Sequence, residues 1–259
     1  MNATRGSAPP RSTPSQATRG TSIPWIVTRA QLRAGLPMVA GYWGIMIAIY
    51  ATIITVVTAV GDTEVSIWAT SGGSAPKYFL LAVGVMLSMV FLPVYVGNGV
   101  TRRDFTLGIS LYVVVVAVVY AVVMTAGFVA EHAIYSAADL MGGLDDPYPV
   151  RDVGDGLSTL AAEVCVGIVY LCCGWLMGTC FYRFGSWLGI GLIPLTVLPA
   201  VVTEVGFDAL WLGYGINNGL GIERPSLAVG VTMAAVSIAV AWTVNFALIR
   251  AVAINKVSG

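Results

Sequence analysis

A chain of 259 residues in which 57% are hydrophobic and 10% charged is not an ordinary soluble domain, where about a quarter of the residues carry charge. The formal net charge is zero and the mean hydropathy is +0.84, so the composition gives no sign of a nucleic-acid-binding surface. The length accommodates one membrane domain and leaves no room for a second folded unit.

Residues 1–23 are rich in Ser, Thr, Pro, Gly and Arg and nearly lack large apolar side chains, the composition of a disordered cytosolic tail. The first long apolar run exceeds about twenty residues and has no small-residue cleavage site, so it reads as an uncleaved anchor rather than a secretory signal. Before it, residues 24–36 (PWIVTRAQLRAGL) predict a separate amphipathic helix on the cytosolic leaflet, in contact with membrane lipid. Arg29 and Arg33, four apart, share one face of it, and Trp25, Ile26, Leu32 and Leu36 supply the membrane side. Gly35 and Pro37 are expected to end it.

Crossing roughly 30 Å of hydrocarbon takes about twenty apolar residues. Runs at 37–60, 77–97, 106–130, 157–182, 186–204 and 225–250 meet that length, so the expected fold is all-α, with six transmembrane helices. Pro194 and Pro199 are expected to bend or break the fifth run in its outer half. The stretch 206–221, which mixes apolar residues with Gly, Asn217 and Asn218, is expected to return into the outer leaflet as a hairpin. Gly174 with Gly178, and Gly185 with Gly189, have the spacing that lets helix backbones approach closely in lipid.

Charge orients these runs. Number the polar gaps alternately from the N-terminus. The odd gaps hold Arg5, Arg11, Arg19, Arg29, Arg33, Arg102, Arg103, Arg183, Arg250 and Lys256, with Asp104 as their one acid. The even gaps and their borders hold the other acids and only Lys77, Arg151 and Arg224 among the bases. Cytosolic loops retain Lys and Arg, so both termini are expected inside the cell, in the plasma or inner membrane.

Little in the chain points to catalysis. Its one histidine, His132, is expected to be solvated at the outer end of the third span, and there is no phosphate-binding GxxxxGK[ST] loop. The cysteines Cys165, Cys172, Cys173 and Cys180 lie in one apolar run without metal-ligand spacing and read as packing residues. Glu163, about two turns inside the fourth span, either lines a cavity or pairs with Arg151 or Lys77. Asn245, in the inner half of the last span, is expected to bond a neighbouring helix. The absence of a charge at midplane argues against a proton- or sodium-driven transporter.

The most specific local signal is Gly97-Asn98-Gly99-Val100-Thr101-Arg102-Arg103-Asp104-Phe105, the cytosolic turn between the second and third spans. Gly-Asn-Gly is a helix stop, and Thr101 followed three residues later by Asp104 is a helix start resembling a capping box. NGVTRRDF resembles the G-[VI]-[ST]-R-[RK]-x-[FL] turn of permease subunits in bacterial ABC-type exporters of the type V fold. Tyr182-Arg183-Phe184-Gly185 is similar to the R-[FW]-G junction of their bacterial members. The resemblance extends over nearly the whole chain in layout but about fifteen residues in motif. The tail 1–23 has no counterpart in it.

The resemblance implies a permease with no ATPase site of its own, paired with a second permease. A separate cytosolic ABC ATPase, carrying the ATP and Mg, would dock on the turn. Asn98, Gly99, Thr101, Arg102, Arg103, Asp104 and Phe105 would form the coupling helix, with Phe105 as a docking aromatic. The competing expectation is a non-transporting membrane scaffold or immunity protein that anchors partners.

Overall fold

The computed structural model describes residues 22–61, 63–72, 74–144, 150, 152–208, 210–222 and 225–251. The tail apart from Ser22 and Ile23, and also Arg151, Arg224 and Lys256, lie outside the described residues. The described chain is helical: α1 (Ile23–Val60), α2 (Ala75–Met86), α3 (Leu92–Gly97), α4 (Arg102–Ala137), α5 (Val153–Phe207), α6 (Leu210–Leu220) and α7 (Leu227–Arg250). A π-helical turn, Leu87–Phe91, joins α2 to α3, and another, Trp68–Gly72, precedes α2. Among the described residues, five helical stretches are long and apolar enough to cross a bilayer: α1, Trp68–Gly97, α4, α5 and α7. That is the make-up of a multi-pass membrane protein.

The longest of these, α5, is two helices. Its backbone leaves helical angles at Gly185 (φ 78°, ψ 178°), a combination essentially restricted to glycine. Contacts nest around that residue: Phe181 lies against Gly189, and Tyr170 donates its hydroxyl proton to Glu204. The arms 153–184 and 186–207 are therefore antiparallel, and the reversal falls in the gap that the sequence leaves between its fourth and fifth apolar runs. The expected break at Pro194 and Pro199 is absent, because the second arm stays helical through both. Hydroxyls of Thr196 and Thr203 donate to the carbonyls of Ile193 (2.9 Å) and Pro199 (2.8 Å) within it.

A second expectation also needs correction. Residues 24–36 do not form a separate helix. They are the first turns of α1, which passes through Gly35 and Pro37 without interruption. The cause is long-range packing: Val27, Thr28, Gln31 and Gly35 form a buried stripe against the first turns of α4. Thr28 donates to the Gly108 carbonyl (2.8 Å), and Gly35 lies against the Tyr112 hydroxyl. Farther along, Tyr50 reaches Glu131; with residue separations of 80 and 81, α1 and α4 run parallel. At 38 residues α1 is about 57 Å long, well beyond the hydrocarbon thickness.

The first arm of α5 is the centre of the bundle. Every residue from Val166 to Cys180 except Ile168 is buried. α2 crosses it at Gly84, Gly174 and Gly178 with backbones in direct contact. A Cβ at Gly174 would overlap the Leu81 carbonyl oxygen, and one at Gly84 would sit 2.8 Å from the Trp175 nitrogen. Gly174→Ala is therefore expected to force the two helices apart, at a cost of about 1–3 kcal/mol. A drop of several degrees in the unfolding midpoint in mild detergent checks this. Gly191→Ala, which meets open space in the second arm, should be neutral or stabilising. Equal midpoints for the two variants would contradict the close crossing.

The stretch 206–221, expected as a returning hairpin, reverses at Asp208 (φ 52°) and folds α6 back along the end of α5. Asn217 holds the fold-back by donating to the Val205 carbonyl (3.0 Å) and to the Asp208 carboxylate (2.9 Å).

Candidate functional site: the turn at 97–104 and the buried polar ties

The turn between α3 and α4 is closed from both sides. Asn98 ends α3, and its side-chain amide donates to the Val94 carbonyl (2.7 Å). Gly99 (φ 87°) donates to Val96 (3.0 Å), and Val100 donates to Tyr95 (3.1 Å). These two bonds define a Schellman motif, which needs a left-handed residue at the glycine. Thr101 starts α4: its hydroxyl oxygen accepts from the Asp104 amide (3.1 Å), and its proton goes to the Asp104 carboxylate (2.7 Å). The capping-box expectation thus takes a shorter form, in which the acid accepts from the hydroxyl.

The structure divides the remaining residues of the turn. Arg103 is exposed. Arg102 reaches across the bundle and donates to the Arg250 carbonyl (3.1 Å) at the end of α7. Phe105 is 0% exposed and packs beside Tyr95, with ring centroids 5.7 Å apart. It belongs to the chain's own core, so the expectation of a docking aromatic is revised. A residue one turn into an amphipathic helix lies on the face set by that helix's packing, and position 105 faces inward. Arg183, at the end of the first arm of α5, donates to the Leu248 carbonyl (3.1 Å). The start of α4, the reversal of α5 and the end of α7 therefore share one end of the bundle. The start of α1 joins them through Thr28 and Gly108.

Trp25, Arg29 and Arg33 lie on the exposed face of α1 and, with Ile26 and Ala30, line a shallow groove of about 240 Å³. Asn245 is fully buried and accepts from Thr179 (2.6 Å), which is 2.6 Å from the Ser88 hydroxyl. This node ties α7, the first arm of α5 and the π-helical turn of the second span. Pro93 has no N–H to give and crowds the carbonyl four residues back; the wider turn at Leu87–Phe91 accommodates it and contains Ser88.

Of the two expected basic partners of Glu163, Arg151 lies outside the described residues, and Lys77 forms no ion pair with it. Glu163 accepts from the Tyr120 hydroxyl (2.7 Å) on α4. The sequence reading missed two more carboxylates of this kind. Glu204, 2% exposed, accepts from Tyr170. Glu131, 0% exposed, accepts from Tyr50 (2.9 Å), from the Ser66 hydroxyl (2.5 Å) and from the Trp68 amide (2.9 Å). In all three cases a tyrosine from another helical arm holds a buried or half-buried carboxylate. The signal available for Glu131 was the run A-E-H-A-I-Y-S-A, which contains no helix breaker and so continues the third span past its apolar end. His132 next to it is half-buried rather than simply solvated.

The cysteines are free thiols. Cys172, Cys173 and Cys180 are buried and Cys165 is half-buried. Among the described residues no group of three His, Cys, Asp or Glu side chains is placed to hold a metal ion. The polar contacts of Glu131, Glu163, Glu204 and Asn245 tie helices together. Compared with protein-family models, with curated proteins and with solved structures, the chain finds no significant match.

Proposed function

We propose that this chain is the permease subunit of an ATP-driven, ABC-type exporter, with six membrane spans and both termini in the cytosol. In this reading two permeases form the substrate pathway, and a separate cytosolic ATPase docks on the turn at 97–104. The observation that carries the proposal is that turn. It is rigidly closed at both helix ends, sits where the described ends of the chain meet, and presents Arg103 outward. A partner that must transmit a push needs a stiff contact, and a doubly capped turn supplies one. Six spans follow if both arms of α5 cross the bilayer, and an even number of crossings agrees with the shared end of α1 and α7. The basic residues at that end support reading it as the cytosolic one.

Copurification tests the assignment. The chain, extracted from its native membrane in mild detergent, should carry an ATPase with it. Native mass analysis should find two permeases with two ATPases, and the complex should hydrolyse ATP. A purified permease without an ATPase partner, or a monomer competent in transport, sinks the proposal. Orientation is checked separately with an impermeant thiol reagent. Gly142→Cys and Gly97→Cys both introduce side chains into open space, at opposite ends of the bundle. In intact cells Gly142→Cys should label above the background of the native thiols and Gly97→Cys should not. The reverse pattern would invert the topology.

A further inference from the structure

We infer that Arg102 and Arg183 form an internal clasp that makes the last helix, α7, move with the turn at 97–104. The mechanical consequence rests on the proposed function; the clasp itself rests on geometry alone. Arg102 is the first residue of α4, where a positive charge meets the positive pole of its own helix. Its guanidinium is instead directed to the opposite pole of another helix, donating to the Arg250 carbonyl at 3.1 Å. Arg183, from α5, donates to Leu248 at 3.1 Å. The Arg250 carbonyl, one of those that a helix leaves unpaired at its C-terminus, is thus satisfied from α4, and the Leu248 carbonyl, which also accepts the Ala251 N–H (3.1 Å), takes a second donor from α5. The guanidinium of Arg250 itself lies over the Phe246 ring, at 5.5 Å.

A turn and a half farther in, Asn245 bonds Thr179, which contacts Ser88. The inner six residues of α7 are therefore fastened to α4, to the first arm of α5 and to the second span. Its outward face, including Val229, Val236, Val240 and Val244, is exposed. Arg102 and Arg103, adjacent in sequence, accordingly differ in role. Arg103 faces outward, and Arg102 links the turn to the last helix. Arg102 gives the turn a direct link to the end of α7, beside the tie farther along α4 where the Trp242 indole donates to the Ser110 hydroxyl (2.8 Å).

The test is amide hydrogen exchange on the full chain in lipid nanodiscs, alone and with the copurified ATPase. In the chain alone, Arg102→Gln combined with Arg183→Gln should speed exchange at 247–251 about tenfold, as expected when two charge-assisted bonds at a helix end are lost. Arg102→Lys, which keeps the charge and a donor, should restore most of the protection in the Arg183 background. An unchanged rate, or a rise shared equally with the buried stretch 166–180, overturns the clasp. With the ATPase bound, a non-hydrolysable ATP analogue with Mg should alter exchange at 96–104 and 247–251 together in the native chain. In the double variant it should alter only 96–104. If both segments still respond in the double variant, the transmission role is overturned. Failure of any ATPase to copurify sinks the proposed function, and the measurement on the chain alone still decides the clasp.

Discussion

Glu131→Ala is expected to destabilise the chain by about 2–4 kcal/mol, because several buried donors lose one shared acceptor. The Glu131 side chain is fully buried, and its donors include the Tyr50 hydroxyl from α1, the Ser66 hydroxyl and the Trp68 backbone N–H, three that meet at one site. Alanine leaves all three without their acceptor. A hydroxyl can rotate toward water if any reaches it, but a backbone N–H cannot turn away. Each buried donor left unmade costs about 1–3 kcal/mol, and the three share one site, so their costs do not add in full. Glu131→Gln keeps one acceptor oxygen but turns an amide group toward donors, and should fall between alanine and the native residue. The thermal unfolding midpoint in detergent orders the three proteins. The Trp68 segment is further held by its indole, which donates to the Met124 carbonyl (2.9 Å). Amide exchange should therefore rise at 66–72 in the alanine variant before it rises in the first arm of α5. A midpoint within about 1 kcal/mol of native, with 66–72 still protected, would contradict the anchoring role.

The particular elements show what a single chain reveals about itself. The apolar runs end close to where the helices end: the first run stops at residue 60, where α1 stops, and the last at residue 250, where α7 stops. The turn at 97–104 was legible because its chemistry is local. Glycine at a left-handed position and Thr101 at a helix start act within four or five residues. The close crossing was half legible. Gly174 and Gly178 mark a face, but nothing in their spacing names Gly84 as the partner. What stayed hidden depends on residues far apart. The continuity of α1 through Gly35 and Pro37 is fixed by α4, some eighty residues on. Tyr50, Ser66 and Trp68, which donate to Glu131, lie 63 to 81 residues from it, and Tyr170 is 34 from Glu204. Phe105 was expected to be available because the resemblance implies a docking aromatic at that position. Only the packed bundle shows that its helix turns that position inward.

If the proposed ATPase docks on the turn, Arg103→Glu is expected to lower its affinity by about thirtyfold, with insertion and abundance unchanged. The estimate takes an interface arginine as a hot spot worth about 2 kcal/mol. Arg103 suits that role because its side chain is exposed on a turn closed at both ends. The reversal removes one of ten basic residues on the side expected to be cytosolic, so orientation should survive. It also places an acid in the first turn of α4, where the helix dipole favours it, so the variant has no reason to unfold. Phe105→Ala cannot serve the same purpose. Emptying a fully buried aromatic site costs about 3–5 kcal/mol of stability and would confuse loss of contact with loss of fold. Asp155→Lys, near the start of α5 at the opposite end of the bundle, supplies the charge-reversal control. Binding of the proposed ATPase, measured on the immobilised chain, should fall for Arg103→Glu and hold for the control. If both variants bind the ATPase as the native chain does, the turn does not carry the contact; if both weaken it equally, the effect is not specific to the turn.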